Sequence, residues 1–185
     1  GTKTIQEVIL NSFIWYKKNP KILEIGSNTW FSSIEFATLL PHAQITWIDI
    51  NHQSISHAIK KSKSFWIKNV EFIQADGQSL PFKDWEFDLV FCSNTTSFIK
   101  DKKAAVWEYF RVLKPQGICA VVPIYYIDEP PIQLLKDIED AIWTTIDIRT
   151  STDWKTLFSF SNDKIIYSNP HRYEDISIKT IEEYT

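Results

Sequence analysis

The strongest constraint in this chain is a repeated alternation. Five short apolar runs, at 21–25, 45–50, 70–75, 87–92 and 118–122, are separated by turns and by segments with helical periodicity. In these runs (KILEI, ITWIDI, VEFIQA, FDLVFC, ICAVV) apolar residues mostly follow one another instead of alternating with polar ones. Strands of that kind are buried on both faces, as in a parallel sheet covered by helices on each side. Right-handed crossovers then limit how the strands can be arranged. The expected fold class is α/β: a doubly wound, mainly parallel, Rossmann-like sheet.

The intervening segments carry helix punctuation. Residues 3–18 place Ile5, Val8, Ile9 and Phe13 at helical spacing and end at Asn19-Pro20. Residues 29–40 carry Phe31, Ile34, Leu39 and Leu40 and stop at Pro41. A helix is expected over 53–66, opened by Ser54. Another over 101–113 has an apolar stripe of Ala105, Val106, Tyr109, Phe110 and Leu113, and KPQG leads from it into the fifth run. Past Pro123 the spacing predicts a helix over 131–142, a short one after Ser151 and a strand at 164–168. Residues 176–184 suit either an edge strand or a helix start. With no internal repeat and no long linker, 1–185 reads as one domain: a lead-in helix (1–18), a core (20–123) and C-terminal elements (124–185). There is no Met, so the start at Gly1 reads as a trimmed end, and the stop after IEEYT as a truncation.

Composition narrows the partners. A formal net charge of -3 argues against a nucleic-acid backbone as the main ligand. The cluster Lys60, Lys61, Lys63 and Lys68 reads as a solvated helix face. Hydrophobic residues at 44% and charged residues at 23% fit a globular core, not a disordered chain. No apolar stretch is long enough for a membrane span, and GTKTIQ lacks the apolar core of a signal peptide. Cys92 and Cys119 sit in strand-like runs, where buried free thiols are expected and no metal site is. A cytoplasmic location follows as the expectation.

Open α/β sheets bind ligands beyond the carboxyl ends of their strands, where strand order reverses. The chain places Glu24, Gly26, Ser27, Asn28 and Thr29 after the first strand, Asp49 and Asn51 at the second, Asp76, Gly77 and Gln78 at the third, and Ser93 and Asn94 at the fourth. Gly26 removes a side chain where a ligand must come close. The following helix start offers free N–H groups to a carboxylate. Asp49 suits a ribose diol and Asp76 an exocyclic amine. Singly, each acid is equally a cap or turn residue, and the glycine an ordinary turn; together they recur in one framework. No GxxxxGK[ST] run exists, and the first turn lacks the GxGxxG spacing of a nicotinamide enzyme.

As a set, in this order, these segments resemble the class I S-adenosylmethionine-dependent methyltransferases, in the small-molecule branch of the ubiquinone/menaquinone-biosynthesis type. ILEIGSNTW looks like their first motif and ITWIDIN like the second. VEFIQADGQSLPFKDWEFDLVFCSN resembles the third and fourth, and YFRVLKPQGICAVV the helix and fifth strand. The resemblance covers about residues 18–123. It implies S-adenosylmethionine as cofactor and a small-molecule methyl acceptor as substrate. Glu24 and Gly26 would support the methionine part, Asp49 the ribose, and Asp76 with Gly77 and Gln78 the adenine. Ser27, Asn28, Ile50 and Ser93 adjoin these positions and complete the cofactor set. No nucleic acid or membrane is implied, and a homodimer or protein partner is left open.

The pattern departs from that family at Asn28 and Trp30, which stand where the first motif has its second and third glycines. Asn28 tolerates left-handed backbone. Trp30 packs on the first helical turn, stacks beside the ligand or fills its pocket. The last outcome would make the chain a methyltransferase-like scaffold or regulatory subunit without catalysis. His42, His52, His57 and His171 are the candidate general bases, and no one of them is singled out as catalytic. Trp15, Tyr16, Tyr125 and Tyr126 are expected either to line an aromatic substrate chamber or to be core and rim. Ser93, Asn94, Thr95 and Thr96 form a polar patch suited to orienting the substrate.

Overall fold

A computed structural model describes residues 2–26, 31–128, 130–142, 150–159 and 164–170. Five strands, β1 (Lys21–Ile25), β2 (Gln44–Asp49), β3 (Val70–Gln74), β4 (Phe87–Ser93) and β5 (Leu113–Val122), form one sheet in the order β3-β2-β1-β4-β5. All four pairings are parallel. The central strand β1 runs between β2 and β4, so strand order reverses beside it, between β1 and β4. The doubly wound expectation is met.

Both faces are covered. On one, α1 (Thr2–Ser12) and α2 (Phe31–Leu39) bring Ile5, Ile9, Phe36 and Ala37 against Ile22, Ile45, Leu89 and Phe91. Beside them α3 (His52–Ser64) sets Ile55 and Ala58 on Trp47. On the other face, α4 (Lys102–Val112) presents Ala105, Val106, Tyr109 and Val112 to Leu23, Ile25, Val90 and Cys92. There α6 (Ser151–Leu157) adds Trp154 and Leu157. Successive strand residues go to opposite faces, which is why the strand runs are apolar throughout. A further helix, α5 (Ile132–Ile142), buries Leu135 and leaves Ile132 and Leu134 exposed. Among the described residues no helix is long and apolar enough to cross a membrane.

Three local readings are corrected. The lead-in helix ends at Ser12, and a 3₁₀ turn follows at Ile14–Tyr16; Phe13 between them has φ 53, a left-handed conformation that a continuing helix excludes. The fifth strand starts at Leu113, not 118. Leu113 pairs with Phe87 and Ile118 with Leu89, so KPQG is a bulge within the strand, with Gln116 at φ 64. Residues 164–168 form no strand: Ile165, Ile166 and Tyr167 lie exposed at 60%, 61% and 45%. Their β-branched composition signals a preference, but a strand exists only where an edge pairs with it. The tail at 176–184 lies outside the described residues.

The amino edge of the sheet is tied together by Asp88. Its carboxylate accepts from Lys17 Nζ at 2.9 Å, Lys114 Nζ at 2.7 Å and the Lys21 backbone N–H at 2.9 Å. Burial alone would raise this carboxyl, but those three donors outweigh it and hold it below its ordinary value. A depressed folded-state pKa gives stability that is present above the unfolded value and lost as pH falls through the folded one. Asp88→Asn should therefore cost about 1–3 kcal/mol at neutral pH. In urea titrations the difference from the parent should close as pH is taken below 3.8.

Candidate functional site

The carboxyl edge is organised around the turn after β1. Gly26 donates its N–H to Ile48 O at 2.8 Å, and its carbonyl accepts from Trp47 Nε1 at 2.7 Å. Those two bonds lock the turn to β2 and satisfy the one polar atom of a buried indole. Gly26 has φ +62, and a Cβ there would lie 2.3 Å from both Thr95 Cγ2 and Thr95 Oγ1. A glycine is required, though the group that comes close is Thr95, from the 3₁₀ turn Thr95–Phe98 after β4.

Glu24 lies within β1, two residues before the Gly26 turn. It is fully buried within β1 and accepts from Ser32 Oγ and Ser33 Oγ at the start of α2. Burial pushes its carboxyl up to about 7, against the opposing effect of the two hydroxyls. It thus supports the β1–α2 connection from beneath. Ser27, Asn28 and Trp30 lie outside the described residues.

Asp49 ends β2 half-buried and accepts from the Asn51 backbone N–H at 2.8 Å through Oδ1. Burial pushes its carboxyl up, and the Asn51 bond partly offsets this. Next to it Ile50 is 67% exposed, an apolar surface beside an acid. Asn51, and not Ser54, caps α3, its side chain accepting from Gln53 N–H at 2.8 Å.

Asp76 follows β3. Its carboxylate accepts from the Gln78 backbone N–H at 2.9 Å and from Gln78 Nε2 at 3.1 and 3.2 Å. Gln78 Oε1 in turn accepts from the Asp101 N–H at 2.9 Å, linking this turn to the start of α4. Gly77 is buried, and a Cβ would stand 3.1 Å from Ile25 Cγ2. Gly77 is thus small because the core closes over it.

The polar patch after β4 divides. Thr96 is fully buried, with Oγ1 donating to Cys92 Sγ at 2.9 Å and lying 3.2 Å from Tyr109 Oη. Ser97 is fully buried and accepts from the Ile124 N–H at 2.9 Å. These two belong to the core. Ser93, Asn94 and Thr95 are half-buried at the edge.

The aromatic chamber also divides. Trp15 and Tyr16 stack on each other, centroids 3.5 Å apart, just before the amino end of β1. Tyr125 and Tyr126 follow the carboxyl end of β5. The two pairs lie at opposite edges of a sheet whose five-residue central strand spans about 16 Å, so they form no common pocket. His42 likewise precedes β2 at the amino edge, and His57 is exposed on α3. His52, exposed at the start of α3, is near Asp49 in sequence, and its Nδ1 lies 3.5 Å from Ser56 Oγ. His171 lies outside the described residues. A separate groove of about 310 Å³ at the amino edge is lined by Lys21, Thr46, Lys68, Glu71, Glu86 and Phe87; it belongs to the edge away from the strand-order reversal.

The family profile described as "Methyltransferase domain" matches residues 16–162. The chain is 26% identical over 159 residues to the uncharacterized methyltransferase YcgJ of Bacillus subtilis, covering 84% of this chain and 58% of that protein. It is 32% identical over 103 residues to the ubiquinone/menaquinone biosynthesis C-methyltransferase UbiE of Pasteurella multocida, covering 55% and 38%. The crystal structure of the MccD protein superposes with a TM-score of 0.75 at 27% identity, covering 85% of this chain and 69% of that one. The chain spans 58% of the length of YcgJ, 38% of that of UbiE and 64% of that of an uncharacterized protein of Haemophilus influenzae to which it is 26% identical.

The buried carboxyl of Glu24 generates a pH test. A carboxyl whose folded-state pKa is raised contributes stability that is present below the unfolded value of 4.5 and lost as pH rises to about 7. The parent should lose on the order of 3 kcal/mol across that window, and Glu24→Gln should flatten the loss. Urea unfolding at a series of pH values from 4 to 8 reads both curves.

Proposed function

The chain belongs to the methyltransferase domain family, and on that premise we propose that it binds S-adenosylmethionine at the carboxyl edge of the sheet and methylates a small molecule. The observation that carries the reading is the placement of Asp49 and Asp76 at the ends of β2 and β3, on one side of the Gly26 turn, with the strand-order reversal on the other side of that turn, between β1 and β4. That point is where open α/β sheets hold their ligands.

The residues fit the nucleoside end of the cofactor. Asp49 has one oxygen engaged by Asn51 and a second for a ribose diol. Ile50 offers an exposed apolar surface for the flat base. Asp76 and Gln78 carry the acceptor and donor groups that an adenine edge requires, already held in place by their mutual bonds and by Asp101. Gly26 leads toward the methionine end, and Glu24 acts there indirectly through Ser32 and Ser33.

When bound, S-adenosylmethionine supplies an electrophilic methyl carbon: the acceptor's lone pair bonds to it as the methyl–sulfur bond breaks onto sulfur, leaving S-adenosylhomocysteine. The protein's work is then to hold the two reactants in line and to exclude water. Ser93 and the segment after it form the side of the site toward the acceptor.

Isothermal titration with S-adenosylhomocysteine should give a binding isotherm for the folded parent. Asp49→Ala should weaken it by about 1–3 kcal/mol, the scale of a hydrogen bond to a charged partner. A folded sample that gives no heat with ligand at roughly a hundred times a micromolar dissociation constant would overturn the reading in favour of a scaffold that keeps the fold alone. Unchanged affinity in Asp49→Ala would overturn the assignment of that residue.

A further inference from the structure

The amino edge of the sheet, opposite the candidate site, exposes rings instead of burying them. Phe13, Trp15 and Tyr16 precede β1, Phe65 and Trp66 precede β3, and Trp85 precedes β4; all six are exposed. Trp66 is 84% exposed and Trp85 66%, and Leu10 in the last turn of α1 adds an aliphatic side chain at 63%. Three of the four exposed tryptophans among the described residues lie at this edge. One exposed ring is ordinary, but a gathering of them marks an interaction surface. The turns that carry them are tied into one rim. Gln44 N–H bonds to Pro20 O at 2.8 Å, Ile45 N–H to Asn69 O at 2.9 Å and Lys17 Nζ to Asp88 at 2.9 Å.

Three of these rings stand on unusual backbone. Phe13, Trp66 and Trp85 have φ 53, 57 and 58, left-handed values that are uncommon for a bulky side chain. Such conformations cost the fold and concentrate at functional positions. The charge is as uneven as the rings. The turns over 13–21, 61–69 and 81–88 hold seven lysines against three acids, in a chain of formal net charge -3. Each of those acids is already engaged: Asp84 by Arg111, Glu86 by Lys21, and Asp88 by Lys17 and Lys114. Lys18, Lys63, Lys68 and Lys83 are exposed among the rings. Lys63 opposes the dipole at the end of α3, a duty that the other three do not share.

We propose that this amino edge docks on the surface of an anionic lipid bilayer, with its rings in the headgroup layer and its lysines against lipid phosphates. Tryptophan and tyrosine concentrate at that level, where one end of the ring meets hydrocarbon and the other meets water. Lysine stems lie along the same boundary while their ammonium groups reach the phosphates. A protein partner fits less well, because protein interfaces favour arginine and are depleted in lysine. Arg111 at this edge is spent on Glu108 and Asp84. A single-stranded nucleic acid would stack on ring faces, but Trp15 and Tyr16 stack on each other and Leu10 has no face to offer. Among the described residues no helix is long and apolar enough to cross a bilayer, so the contact is one of lying on its surface. The edge with Asp49 and Asp76 then points away from the lipid, and the proposal holds whether or not that edge transfers methyl groups.

Co-sedimentation with vesicles tests the proposal, using phosphatidylcholine alone and phosphatidylcholine with an equal part of phosphatidylglycerol. The parent should sediment with the anionic vesicles at roughly 50 mM salt and be released at roughly 500 mM, where charges are screened within a few ångströms. With neutral vesicles it should stay in the supernatant. Lys18→Glu, Lys68→Glu and Lys83→Glu combined should lower the partition coefficient at least about a hundredfold, from about fivefold per lysine. Trp66→Asn with Trp85→Asn should lower it at least about tenfold through lost apolar burial. Asn accepts the same left-handed backbone, and every changed side chain is exposed, so both variants should melt within about 2 °C of the parent. If the tryptophan variant melts lower, its rings support the fold and the lysine variant alone decides. A parent that ignores anionic vesicles or sediments equally with neutral ones would overturn the proposal, as would unchanged partition in a variant that melts like the parent. Tighter binding of a polyuridine strand than of anionic vesicles would overturn it in favour of a nucleic-acid surface.

Discussion

The carboxyl edge of this sheet depends on one residue without a side chain. Gly26 bonds to β2 through both its N–H and its carbonyl, and it receives Thr95 from the far side of the strand-order reversal. Three neighbouring segments therefore meet on one turn whose backbone stands at φ +62. Any Cβ would push Thr95 away and strain the turn at the same time. Because β1 is central, the positions of Asp49 on one side and Asn94 on the other both follow from how this turn closes.

Polar groups at that edge fall into two kinds. Glu24, Thr96, Ser97 and Gln78 are satisfied within the protein: Glu24 by two serines, Thr96 by Cys92, Ser97 by Ile124 and Gln78 by Asp76 and Asp101. Their bonds tie residues of the edge to one another. Asp49, Asn94 and Tyr126 retain unused capacity. In a low-dielectric setting a satisfied network stiffens its surroundings, while an unsatisfied atom is a standing cost. The first group holds the edge together, and the second has hydrogen-bonding capacity left over. The same division accounts for Gly77, whose small size serves core closure against Ile25 and Ile99.

Much of this fold was legible from the order of residues. Runs such as FDLVFC cannot be half-exposed strands, because consecutive apolar side chains point to opposite faces and both must be covered. The helix after β4 was readable from the stripe that Ala105, Val106 and Tyr109 make, and all three are fully buried. The KPQG bulge was hidden because Pro and Gly signal an interruption without saying whether pairing resumes on the same strand. The strand expected at 164–168 failed for a related reason: Ile165 and Ile166 state a preference, whereas pairing is a property of the neighbour.

For the site, sequence determined which residues stand at the strand ends, since those ends are set by where each apolar run stops. Asp49, Asp76 and Asn94 were named that way. Sequence could not decide which of them keep a free hydrogen-bonding atom, because partners such as Gln78 for Asp76 or Ser32 and Ser33 for Glu24 are chosen by side-chain geometry. Nor could it tell that Trp15 and Tyr125 lie at opposite edges, since ring composition carries no direction along a strand. Only the packed tertiary structure, in which every buried donor and acceptor competes for a partner, decided that Asn94 and Tyr126 are left unmet.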